Sequence, residues 1–126
     1  MTHLLDTDCI INHLRGKKEI IRGSDTSYAI SVVTLGELFY GANRSVNPKA
    51  THEAVDAFRA EFNVTILDIT EKVMAQYARI KALLSQRGAL IEDFDLLIAA
   101  TAIEHHLTLV TANKKHFTRI HGLSLT

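Results

Sequence analysis

The chain opens on a short apolar run, and the same texture returns three more times. Residues 3–6 of "HLLDTDCII" are followed by "YAISVV" (28–33), "VTILDI" (64–69) and "LTLVT" (107–111). Runs this short, apolar rather than strictly alternating, predict strands covered on both faces. Between them the apolar positions recur every three or four residues, the period of a helix. In "NPKATHEAVDAFRAEF" Val55, Phe58 and Phe62 share a face, Asn47 can cap the helix, and Pro48 suits its first position. In "EKVMAQYARIKALLSQR" Val73, Tyr77, Ile80 and Leu84 line one side, Thr70 supplies the cap and Gly88 the stop. "SVVTLGELFYGA" predicts a helix capped by Thr34, and "FDLLIAATAIEH", apolar nearly all round, predicts a buried one. Strands alternating with helices predict an α/β protein, a three-layer α/β/α sandwich with a central parallel sheet.

Composition narrows this picture. At 126 residues with no linker, repeat or compositional break, the chain is expected to form a single domain, 1–126. The lone cysteine, Cys9, cannot form an internal disulfide, and neither a secretion signal nor a long apolar span is present, so a cytoplasmic protein without membrane contact is expected. Lys and Arg number 14, as do Asp and Glu, giving zero formal net charge and arguing against a broad basic face for duplex DNA. Lys17, Lys18, Arg44, Arg87, Lys114, Lys115 and Arg119 read as solvated residues of turns and helix ends.

The chemistry gathers at one edge. In parallel α/β sheets ligands bind beyond the carboxyl ends of the strands. Asp6 and Asp8 end the first run. Glu37 follows the second, although Thr34-Leu35-Gly36-Glu37 is equally a capping box. Asp93 and Asp95 open the buried helix, where the helix dipole favours acids in any case. Thr111 and Asn113 follow the last strand. Two like charges 4 Å apart repel by about 4 kcal/mol at an effective dielectric near 20, so acids converging here call for a cation. Oxygen donors without clustered His or Cys suit Mg²⁺ or Mn²⁺, and the implied chemistry is phosphoester cleavage by metal-activated water. His105, His106 and His116 read as helix-end or solvated residues, and Cys9 as a small core side chain.

"LLDTDCIINHLRG", "SVVTLGELFYGANRS", "IEDFDLLIAATAIEHHLTLVTANKKHF" and "RIHGLSL" together resemble the PIN-domain family, in particular VapC-type toxins of toxin–antitoxin pairs, over about residues 3 to 125. The resemblance implies an Mg²⁺- or Mn²⁺-dependent endoribonuclease of the PIN fold. It assigns Asp6, Glu37 and Asp95 as catalytic acids and metal ligands, Asp93 as a further ligand, and Thr111 and Asn113 as outer-shell, water-positioning residues. Asp8 stands in the first helical turn, where it can face the site. Many PIN domains carry a fourth aspartate where this chain has Asn113, which supplies no charge. The implied partners are an RNA substrate, with transfer RNA a frequent target, a VapB-like antitoxin and a second copy of the chain in a homodimer. DNA is engaged only through the antitoxin.

Two other readings stand beside it. "LLDTDCI" also looks like the DxD motif of haloacid-dehalogenase phosphatases, although Ile10 stands where that motif prefers Thr or Val and the chain is short for such a fold. A non-catalytic PIN-like module that binds nucleic acid or an antitoxin would also suit Asn113.

Overall fold

A computed structural model describes residues 1–126. Four short strands, β1 (His3–Leu5), β2 (Tyr28–Ser31), β3 (Thr65–Leu67) and β4 (Thr108–Val110), form a parallel sheet in the order β3-β2-β1-β4. Six helices surround it: α1 (Thr7–Leu14), α2 (Val32–Asn43), α3 (Pro48–Glu61), α4 (Glu71–Gln86), α5 (Asp93–Glu104) and α6 (Lys114–Phe117). The expected three-layer sandwich is the observed one. In β1, Leu4 and Leu5 are both fully buried but face opposite ways. Leu4 joins Ala29, Leu109 and the apolar sides of α4 and α5 in one core, while Leu5 joins Tyr28, Ile30, Ile10, Leu38 and the aromatic side of α3 in another. That two-sided burial is why the strands read as apolar runs.

Local chemistry sets most helix ends. Asn47 Oδ1 accepts from the Ala50 amide at 3.2 Å, with Pro48 in the first position, and Thr70 Oγ1 accepts from the Val73 amide at 3.2 Å. Gly88, beyond the end of α4, has φ +64°, a left-handed turn that costs glycine little. The start of α2 differs from expectation. Ser31, not Thr34, is the cap, its hydroxyl accepting from the Val33 amide at 3.1 Å, so the helix begins at Val32 and "VV" belongs to it rather than to the strand. Thr34 is fully buried within the helix. No helix is long and apolar enough to cross a membrane.

Candidate active site

Each strand hands its chain to a helix or turn at one edge of the sheet, and the acids stand there. Asp6 is the junction of β1 and α1. Its amide donates to the Val110 carbonyl (3.0 Å), and its Oδ1 accepts from the Cys9 amide (2.9 Å), which makes it the N-cap of α1. Its Oδ2 accepts from Thr111 Oγ1 at 2.5 Å, and Thr111 Oγ1 in turn accepts from the Asn113 amide at 2.9 Å. The turn after β4 is thus organised around an acid of the neighbouring strand. Burial raises the Asp6 carboxyl above its ordinary range; the Thr111 and Cys9 bonds pull it down, and Asp8 and Glu37 push it up again.

The earlier start of α2 moves Glu37 from the first turn to the second. There its Oε1 accepts from Thr7 Oγ1 at 2.6 Å, and Thr7 Oγ1 lies 3.1 Å from Thr34 Oγ1. Glu37 is therefore not closing a capping box on Thr34; two buried threonines hold it toward the start of α1. Asp95, in the first turn of α5, has its carboxyl pushed up to about 6, first by burial and then by the charges of Asp6, Glu37, Asp8 and Glu92. The same acids act on one another, so Asp6, Glu37 and Asp95 share one field, with exposed Asp8 at its margin.

Asp93 is not brought to them. Its Oδ1 accepts from Lys81 Nζ (2.8 Å) and from the Tyr77 hydroxyl (2.7 Å), and these partners hold its carboxyl below the usual carboxylate range. The expected further ligand instead ties the first turn of α5 to α4. Asn113 does lie beside Asp95, on an open groove of about 490 Å³ shared with Glu92, His116 and Arg119. Its side-chain nitrogen lies 2.8 Å from His116 Nδ1, so His116 is a half-buried partner of the site's turn rather than a solvated residue.

The donor set is made of hard oxygens. Burial and then Asp6 push the Cys9 thiol up to about 11 despite Lys18, which disfavours the thiolate at neutral pH. No three Asp, Glu, His or Cys side chains enclose a ready-made ion cage. Hard oxygen donors are of the kind that suit Mg²⁺ or Mn²⁺, which bind through one or two carboxylates and keep waters. Thr7 is the residue the sequence reading misses. Its one local signal is its position inside "DTD", between the two acids.

Fold and edge together define a class: α/β/α proteins whose parallel sheet presents carboxylates at its carboxyl edge. Residues 3–123 match the PIN domain family. The chain belongs to that family, in its VapC branch. It is 33% identical over 132 residues to ribonuclease VapC2 of Rickettsia felis, covering 99% of this chain and 96% of that protein. It is 32% identical over 126 residues to the tRNA(fMet)-specific endonuclease VapC of Salmonella typhimurium, covering 97% and 94% respectively. Among solved structures it superimposes on the DNA-bound VapBC complex of Salmonella typhimurium with a TM-score of 0.91 at 30% identity, over 100% of this chain and 97% of the other. The VapBC2 complex of Rickettsia felis, bound to a promoter fragment, gives a TM-score of 0.90 at 30% identity over 100% and 98%. Family membership displaces the phosphatase resemblance of "LLDTDCI".

Proposed function

We propose that this chain is a divalent-metal-dependent endoribonuclease, the toxin of a toxin–antitoxin pair. One observation carries the reading: Asp95 stands at the same edge as Asp6 and Glu37, where burial first, and then the charges of those two acids, push its carboxyl up to about 6, a cost that a bound cation relieves. Asp6, Glu37 and Asp95 would hold Mg²⁺ or Mn²⁺, which when bound lowers the pKa of an attacking water and neutralises charge on the phosphate. The protein's own part is placement. Thr111 and the Cys9 amide fix both oxygens of Asp6, Thr7 fixes Glu37, and Asn113 orients water at the groove beside Asp95. Asp93, engaged by Lys81 and Tyr77, serves to seat α5 rather than to touch the ion.

The VapC relatives named as ribonucleases, one of them specific for tRNA(fMet), support RNA as substrate, with transfer RNA the first candidate. The VapBC complexes support a VapB-like antitoxin as partner; for a chain of zero net charge, DNA contact would come through that antitoxin. An arginine of the antitoxin would block the acids for the same Coulombic reason that a metal binds them. A homodimer would set two such sites along one groove.

The test is cleavage of a mixed small-RNA pool by purified, antitoxin-free protein in Mg²⁺, in Mn²⁺ and in EDTA. Cuts that need metal, vanish in Asp95→Asn and persist in Asp93→Asn support the reading. Failure of well-folded, metal-loaded protein to cut any RNA would leave the non-catalytic binding module.

A further inference from the structure

The segment 15–27, between α1 and β2, has no regular structure, yet it is well tethered. The Ile20 amide donates to His13 Nδ1 at 2.9 Å, Arg22 donates to the Glu61 carbonyl at 3.0 Å while its guanidinium lies 5.2 Å from the centre of the Phe62 ring, and Thr26 Oγ1 donates to the Gly23 carbonyl at 2.7 Å. Together with α1 and the edge of β4, this strap borders a half-open cavity of about 380 Å³. Val110, Ile20 and Tyr28 give it apolar walls, Asn12 an amide with both donor and acceptor, and Lys18 and Lys114 two exposed cations. Glu19 is the only acidic side chain lining it.

Its position ties the cavity to the acids. Thr111 and Cys9 both line it, and these residues supply the two hydrogen bonds that fix the oxygens of Asp6. The cavity thus shares two residues with the surroundings of Asp6, although Asp6 itself does not line it.

We propose that this cavity seats one nucleotide of the RNA chain adjacent to the cleaved bond, its base against the Val110 and Ile20 walls and its phosphate between Lys18 and Lys114. The proposal rests on the ribonuclease reading above and deepens it. A chain of zero net charge, with acids concentrated at its reactive edge, repels a polyanion there unless cations stand beside the acids. The size suits a small ligand, since such sites typically span roughly 300 to 1,000 Å³ with apolar walls and a few polar groups. An apolar slot with a cationic mouth matches a nucleotide in both halves, base and phosphate.

Two measurements test it. The first titrates the full-length protein with the four 5′-nucleoside monophosphates and, separately, with inorganic phosphate, following backbone amides by NMR. Nucleotides are expected to shift Asn12, Ile20, Val110 and Thr111, and these shifts should be lost in Lys18→Ala/Lys114→Ala. Inorganic phosphate reproducing the whole pattern would overturn a nucleotide site, as would shifts confined to other surfaces. The second compares RNA cleavage. Each lysine change is expected to raise KM roughly tenfold with kcat little altered, the loss typical of a charge-assisted contact. Each should also reduce the salt dependence of RNA binding, measured on Asp95→Asn protein, by about 0.7 in log–log slope. Lys49→Ala, on α3, removes the same charge away from the cavity and controls for bulk electrostatics. An unchanged KM and salt slope in the double lysine variant overturns the proposal. Nucleotide binding in the cavity by a protein that cuts nothing would keep the pocket and refute the nuclease reading instead.

Discussion

Thr111 Oγ1 serves two neighbours, donating to Asp6 Oδ2 and accepting from the Asn113 amide. Thr111→Ala removes the donor that pulls the Asp6 carboxyl down, so that carboxyl rises further. RNA cleavage is expected to fall about 10- to 100-fold, the usual cost of losing an outer-shell partner, with Thr111→Ser restoring most of it. Asp95 makes a prediction of opposite sign for stability. Its folded carboxyl, raised to about 6 from 3.8, holds its proton more tightly than the unfolded chain does. In EDTA the protein should therefore be most favoured by this group below about pH 4 and lose that contribution as pH rises through 6. Thermal melts should show Asp95→Asn lacking that decline, and Mg²⁺ or Mn²⁺ at pH 7 should raise the midpoint of the natural protein more than that of the variant.

Among the elements, α5 bears the tightest constraint. Ala99, Ala100 and Ala102 are completely buried, so the helix sits close against its neighbours in a core that includes Val73, Ile80 and Leu84 of α4. Ala99→Leu is expected to cost about 1 to 3 kcal/mol in urea unfolding through overpacking, and to lower cleavage because the displaced helix carries Asp95. The helix ends show what a sequence can disclose. Asn47, Thr70 and Gly88 are readable because an unsatisfied amide or a left-handed turn demands a particular local side chain. The start of α2 is not, because "SVVT" offers two hydroxyls three residues apart and β-branched residues between them that suit either element. What decides is burial of Thr34 and its contact with Thr7, across 27 residues of chain. The acids at the strand ends are legible for the same local reason as the strands themselves. The pairing of Asp93 with Lys81 and Tyr77 depends on how α4 crosses α5, which no short spacing records.

For the whole molecule, the balance of charge separates the two nucleic acids in this picture. With 14 basic and 14 acidic residues, the chain has no excess of cations to replace the counterions of duplex DNA. Fluorescence anisotropy at an ionic strength of about 0.15 M should therefore show no binding of promoter-length duplex by this chain alone, and binding once a cognate antitoxin is added. Single-stranded RNA needs only the local cations beside the acidic edge.

Asp6 is at once the N-cap of α1 and an acid of the site, and this double duty shapes how the activity can be lost by mutation. An asparagine at position 6 still caps a helix, whereas an alanine gives up about 1 kcal/mol of fold along with the charge. Glu37 and Asp95 do not cap their helices with their side chains. In cells selected to escape the enzyme, alleles that leave an intact, antitoxin-binding protein should therefore concentrate at Glu37 and Asp95. Those altered at Asp6, asparagine excepted, should more often yield a protein that is degraded and leaves its partner unoccupied.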